Sequence, residues 1–446
     1  MSLPPAVAAG ALYDNLFQGA LRQFFSRASF ETRPTPSMSS DGRLAIEPTG
    51  DPAALCIRWF GSRHTLTVPP LRPFTPHETR FARAIGSVLA ARYRAIIDPK
   101  LITSHGDLFR GSIEDRYIGA FLDPAGYTVD TKDSRAECIA TAIEVLRVAA
   151  LSSYENRAIS SGVLLVSAAD DPTGRRTPTD GRGPRYAEAL TGVKSFSRLC
   201  DGERTVFLVN RGGVVLDIVE MECWAAAWGA DAPAAPCART YHAHARATRG
   251  NDHVCVVLSP SHEIKVFAEG VQVFTFRNAS WHLLDIQAKY ELWVAAVGNA
   301  ALAERLFLTA LDLADAREGA LLVVVRDPVQ AVSELTAPAD RLDAMTGDLP
   351  ATRQEVRALL RSRGATDLDP GVLRALATID GATVVDRSGR LLAVGAILLH
   401  STVPDGLAVE GARSTAAMAA ARFGPVLKVS EDGAITFYDR ERVWEI

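Results

Sequence analysis

Apolar residues along the chain switch between helical and alternating spacing, and the switches predict its elements. Residues 8–27 carry apolar positions at helical spacing, a loop rich in Pro, Ser and Thr follows over 32–42, and short apolar runs at 55–60 and 64–68 read as strands. Thr75-Pro76-His77-Glu78 marks a helix start. Thr supplies the N-cap, Pro takes the first helical position, where a missing N–H costs nothing, and Glu closes a capping box. This helix is expected to reach Tyr93.

A second capping box, Ser134-Arg135-Ala136-Glu137, opens a helix with Ile139, Ile143, Leu146 and Ala150 on one face. Gly162 and the strand Val163-Leu164-Leu165-Val166 come next. The same order recurs later as a helix over 300–316, Gly319 as a stop, and the strand Leu321-Leu322-Val323-Val324-Val325. Further on, each copy has an Asp-Gly (Asp201-Gly202, Asp380-Gly381), an apolar strand, a turn (Asn210-Arg211 to Gly213, Asp386-Arg387 to Gly389) and a second apolar strand. That is a hairpin signature. A third match pairs the strand at 254–258 and Ser259 with the strand at 426–429 and Ser430. Three matched elements in one order predict a tandem duplication. The expected domains are 1–113, an α+β accessory or input domain, then 114–288 and 289–446, the two copies. Segments 169–183 and 326–349, each directly after its copy's buried strand, read as loops on equivalent edges.

In the second copy, Asp380-Gly381-Ala382, then Gly411-Ala412-Arg413-Ser414-Thr415-Ala416-Ala417, then Val429-Ser430-Glu431 with Gly433-Ala434-Ile435, resemble three signatures of the diadenylate cyclase domain of the DNA-integrity-scanning type: DGA, GTRHRAA and VSEE-G-I. The resemblance covers residues 300–446, and the whole chain is similar to bacterial sensor proteins with a diadenylate-cyclase-like domain. It implies an α/β fold: a tandem of two diadenylate-cyclase-like domains, each a central mixed sheet flanked by helices, after the N-terminal α+β domain. It also implies that Asp380 helps hold a divalent metal, Mg²⁺ or Mn²⁺, and acts at an attacking ribose hydroxyl. Gly381 and Ala382 would line the adenine and ribose pocket, while Arg413, Ser414, Thr415, Ser430 and Glu431 would surround the triphosphate, Glu431 also touching the metal. In the family two such domains face one another, which here means within one chain or between chains of a homo-oligomer.

The middle signature departs from the family: Arg413-Ser414-Thr415 stands where the family has Arg-His-Arg. Phosphoryl transfer is mostly positioning and charge neutralisation, so this loss removes transition-state stabilisation while hydroxyls can still hold a ground-state nucleotide. The expected function is a sensor or effector binding an adenine nucleotide or cyclic dinucleotide with little or no turnover. Its rival is an active cyclase making cyclic di-AMP from two ATP, with Asp380 catalytic. The first copy, with Glu203 after Asp201-Gly202 and Ser259-Pro260 for Ser-Glu, is expected to be inactive. Read without the family, a carboxylate beside a glycine and a small-residue turn entering a helix suit a phosphate ligand, and each also suits an ordinary turn.

Net charge is −4, which gives no basic face for displacing counterions from nucleic acid, so no nucleic-acid partner is expected. Six scattered cysteines without a CxxC pair read as reduced thiols, and no apolar run long enough for a membrane span occurs; a cytoplasmic protein without an organic cofactor is expected. Cys237, His242, His244, His253 and Cys255 match no common zinc spacing and read as core residues, the His-x-His on a strand. Trp224 and Trp228 at i, i+4 read as a core stripe.

Overall fold

The computed structural model describes residues 5–25, 28–34, 44–47, 49–68, 73–98, 106–124, 127, 135–154, 157–166, 183–187, 198–227, 236–343, 358–361, 363–399 and 411–446. The protein is mixed α/β and divides into two compact units, one of residues 1–233 with 243–285, the other of 234–242 with 286–446.

In the first unit a helix, Pro5–Phe24, precedes an antiparallel four-stranded sheet of β1 (Ser29–Pro34), β2 (Ala45–Glu47), β3 (Ala54–Trp59) and β4 (Ser62–Thr67), in the order β1-β4-β3-β2. Residues 32–34, expected as loop, belong to β1, because pairing with β4 satisfies their backbone groups. The Pro76–Ile97 helix begins with the full capping box: Glu78 N–H donates to Thr75 Oγ1 at 3.1 Å, and Thr75 N–H to Glu78 Oε2 at 2.9 Å. Helices Ile113–Leu122 and Arg135–Ala150 follow. The cap expected at Ser134 lies outside the described residues, while Ile139, Ile143 and Leu146 are buried as their spacing predicts.

A short ladder of β5 (Ser153–Tyr154) and β6 (Arg157–Ala158) leads into a seven-stranded sheet. Its strands are β7 (Ser161–Val166), β8 (Thr205–Asn210), β9 (Val215–Glu220), β10 (Val254–Leu258), β11 (Ile264–Ala268), β12 (Val271–Arg277) and β13 (Ser280–Leu283), in the order β13-β12-β11-β10-β7-β8-β9. One core runs from Tyr13 through Phe81 and Phe121 to Phe274 and Trp281, so the N-terminal elements and this sheet share their apolar interior. Phe121 stands edge-on to Phe274, with centroids 5.1 Å apart.

The second unit is three-layered. Its sheet comprises β14 (Ala320–Val325), β15 (Ala382–Asp386), β16 (Leu391–Ala396), β17 (Val426–Val429), β18 (Ile435–Asp439) and β19 (Glu441–Glu445), in the order β16-β15-β14-β17-β18-β19. Leu302, Leu306, Ala310 and Leu313 of the Ala300–Asp315 helix are buried at helical spacing. The Pro328–Leu335 and Ala412–Ala420 helices bury Ala331, Leu335, Ala417 and Ala420 against Leu321, Val323 and Val325. Segment 326–349, expected as loop, therefore contains a helix, started by Asp327, whose carboxylate accepts from Val329 and Gln330 N–H. Of its partner segment 169–183, only Gly183 is described.

The two larger sheets have the same wiring. β7 pairs parallel with β8 as β14 does with β15, and every other neighbour in both sheets is antiparallel. Their turns agree bond for bond. Asn210 Oδ1 accepts from Gly212 and Val214 N–H, each at 3.0 Å; Asp386 Oδ1 accepts from Ser388 and Arg390 N–H at 2.8 and 3.1 Å. Ser259 N–H donates to Glu263 O at 2.8 Å, and Ser430 N–H to Ala434 O at 2.9 Å.

Candidate functional site

Strand order gathers the residues singled out in the last part of the chain. β15 and β17 flank β14, with Leu321 opposite both Ala382 and Lys428. Asp380 and Gly381, just before β15, therefore lie at the same end of the sheet as Ser430 and Glu431, just after β17. At the usual strand spacing the two sides are about 10 Å apart, with the start of β14 between them. The Ala412–Ala420 helix packs over this strand group and brings its first turn to the same end.

Asp380 is exposed, and its carboxylate has no hydrogen bond or ion pair among the described residues. Gly381 has φ +114°, and a Cβ there would strike the Gly395 carbonyl carbon and sit 2.7 Å from Ala396 N. Only glycine fits this entry to the hairpin. Ala382 is 1% exposed, its methyl packed in the apolar core. Arg413 donates to Glu431 Oε1 at 2.7 Å, in a half-exposed pair that adds little to stability. Ser414 is buried and accepts from Lys428 Nζ at 2.9 Å, while Thr415 Oγ1 turns back to Gly411 O at 3.3 Å. The helix begins at Gly411, φ +88°, without a side-chain cap, so its first N–H groups face outward with the positive end of the helix dipole.

Two residues of the site gave no motif signal. Lys428 brings a cation beside the helix start, and its place inside an apolar strand run was the one available clue. Gly319, read as a helix stop, leaves the space that the Arg413 guanidinium fills: a Cβ there would collide with Nη1.

The corresponding Asp-Gly turn beside the seven-stranded sheet is built differently. Asp201 Oδ1 accepts from the N–H groups of Glu203, Arg204 and Thr205 at 2.9, 2.7 and 3.0 Å. Partial burial raises this carboxyl, and the three backbone donors outweigh it and hold the group below its ordinary value. Asp201 is thus committed to its own turn.

Asp380 and Glu431 alone do not fit a divalent cation: they sit on opposite sides of β14, and Glu431 is held by Arg413. Among the described residues no group of three or more His, Cys, Asp or Glu is gathered as a metal site. His242 and His244 lie on a helix, His242–Ala247, and not on a strand, which turns their rings to different sides. His242 Nε2 meets Cys237 O at 3.1 Å, and His244 Nε2 donates to Gly202 O at 2.9 Å. Burial pulls His244 down to about 4, so it is neutral at ordinary pH. All six cysteines are free thiols. Trp224 is buried, and Trp228 lies outside the described residues. No helix among the described residues is long and apolar enough to cross a membrane.

No protein-family model matches the chain, and no curated protein shows significant similarity to it.

Proposed function

We propose that the chain is a sensor or effector that binds an adenine nucleotide at the Asp380 end of the six-stranded sheet, with little or no turnover, and that its two larger sheets descend from a tandem duplication of a diadenylate-cyclase-like domain. The observation that carries the site is the contrast between the two Asp-Gly turns: Asp201 spends its carboxylate on three backbone N–H groups, and that of Asp380 is unengaged among the described residues. A ribose hydroxyl is the kind of donor such a carboxylate accepts from. Across β14, the uncapped helix start, Arg413 and Lys428 supply backbone donors and two cations for phosphates. Glu431 holds Arg413 until the phosphates take its place. Mg²⁺ or Mn²⁺ would enter only as the counter-ion that a triphosphate carries with it.

Low turnover follows from the helix start. Ser414 is tied to Lys428 under the helix and Thr415 to Gly411, so neither hydroxyl replaces the charge of the family's His and second Arg at a developing transition state. Titration calorimetry with ATP, GTP and cyclic di-AMP tests this reading. ATP or cyclic di-AMP should bind wild type and Asp201→Ala alike and lose at least about tenfold in affinity in Asp380→Ala and Arg413→Gln. Equal losses in Asp201→Ala and Asp380→Ala would remove the site from the second copy. Efficient conversion of ATP to cyclic di-AMP in Mn²⁺ would make the chain a cyclase.

A further inference from the structure

We propose that Asp115, Arg147 and Trp281 form a proton-operated latch inside the first unit: uptake of one proton by the buried Asp115 carboxylate releases Arg147, which otherwise ties the Arg135–Ala150 helix to the Ile113–Leu122 helix. The inference does not rest on the nucleotide reading of the second unit.

Asp115 stands in the first turn of the Ile113–Leu122 helix and is 2% exposed. Its Oδ1 accepts from donors on two other elements: Arg147 Nη2, in the last turn of the Arg135–Ala150 helix, and Trp281 Nε1 of β13, at 2.9 Å. The Arg147 guanidinium also lies over the Phe276 ring of β12, 4.3 Å from its centroid. One carboxylate oxygen therefore joins two helices and the edge strand of the seven-stranded sheet.

The pair is incompletely made. Asp115 Oδ2 and Arg147 Nε are both buried and have no hydrogen-bond partner among the described residues. A buried ion pair offsets the desolvation of its charges only when its remaining lone pairs and protons are satisfied, and here each partner keeps one polar atom unsatisfied. The neighbouring charges give little help. Arg116, next in the helix, is bound to Glu137, and Glu114 on the other side adds a repelling carboxylate, itself held by Gln23 at 2.6 Å. From the Pro76–Ile97 helix, Arg80 and Arg92 donate to Phe121 O and Leu108 O, and β13 offers the neutral Trp281 indole. Burial outweighs the Arg147 cation and the Trp281 hydrogen bond and raises the Asp115 carboxyl from 3.8 to about 6.

The two partners are not equally enclosed. The Arg147 side chain is 28% exposed and that of Asp115 2%, so a protonated Asp115 can stay on Trp281 while the guanidinium turns out to water. The two helices then keep their other ionic tie, Arg116 to Glu137 at 2.8 Å. The sign of the pH dependence follows from linkage. The folded chain takes up this proton at higher pH than the unfolded chain, so the contribution of Asp115 to stability falls as pH climbs from about 3.8 through about 6.

Urea unfolding of the full-length chain at pH 7 and pH 4.5, followed through the Trp281 indole proton signal, tests the latch in a double-mutant cycle of Asp115→Asn and Arg147→Met. Trp281→Phe assigns the signal by its loss. The unfolding constant of wild type, relative to that of Asp115→Asn, should be about tenfold larger at pH 7 than at pH 4.5. Coupling between Asp115 and Arg147 should be worth about threefold or more in that constant at pH 7 and vanish at pH 4.5. In the native wild-type protein, which needs no variant to fold, the same indole signal should shift with a midpoint near pH 6. A coupling that is equal at the two pH values overturns the proposal, and so does an indole signal that does not shift or shifts with a midpoint below pH 5.

Discussion

Asp201 and Asp380 hold the same place in two sheets that share the wiring of six strands, and they do different work. Asp201→Ala removes the acceptor of three backbone N–H groups, so thermal or urea unfolding should show a loss of about 1–3 kcal/mol, with nucleotide affinity unchanged. Asp380→Ala should do the reverse, and a stability loss there without an affinity loss would give Asp380 a purely structural role. Gly319→Ala is a finer probe. The added methyl meets only the far end of the flexible Arg413 side chain, so the fold should tolerate it while Arg413 is displaced. We expect a melting temperature near wild type and nucleotide affinity lowered toward that of Arg413→Gln. His77 gives a pH dependence. Hydrogen bonds to Asp285 and Glu269 raise it from 6.5 to about 9. A raised histidine stabilises the fold fully below its unfolded value, and the contribution is lost as pH climbs from about 6.5 through about 9. Urea midpoints should therefore fall over that window, by on the order of 1–2 kcal/mol after discounting for partial exposure, and His77→Gln should flatten the profile.

Local chemistry made some elements legible. The Thr75 box forms as its four residues dictate, and Thr75→Ala should cost about 0.5–2 kcal/mol in chemical unfolding. The Asn210 and Asp386 turns and the matching strands could be read because Asx side chains and positive-φ glycines leave a signature in sequence. Where long-range pairing decided the outcome, the sequence was silent. β1 is a strand because β4 offers it partners, and no pattern within 32–34 says so. His242 and His244 looked like one face of a strand because alternate spacing was assumed, whereas the local backbone is helical. In the candidate site, Asp380, Arg413 and Glu431 were visible through ordered motifs. Gly319 reaches it only through the β14–β17 pairing and the helix laid across it, contacts between residues about a hundred positions apart, and Lys428 through the fold-back of that helix onto β17.

At the scale of the whole molecule, the shared core of the first unit argues against treating 1–113 as a detachable module. Phe121 and Phe274 pack with Phe81 of the Pro76–Ile97 helix, and Trp281 packs on Phe274, so a fragment starting at 114 would expose Phe121 and Phe274. Such a fragment should be aggregation-prone and bind a hydrophobic dye, and a monomeric, cooperatively melting 114–288 would contradict the shared core. The second unit also borrows from upstream: Arg239 donates to both carboxylate oxygens of Asp312, through its N–H at 2.8 Å and Nε at 2.5 Å. Residues 234–242 thus belong to one unit although chain of the other precedes and follows them. That detour sets a timetable for synthesis on the ribosome. The first unit cannot close until residue 285 has emerged, and the excursion that precedes β10 must wait, solvent-exposed, for the Ala300–Asp315 helix that receives it. A nascent chain halted between those two points would carry a finished first unit and an unclaimed strap, the stage at which a chaperone or a protease would find it.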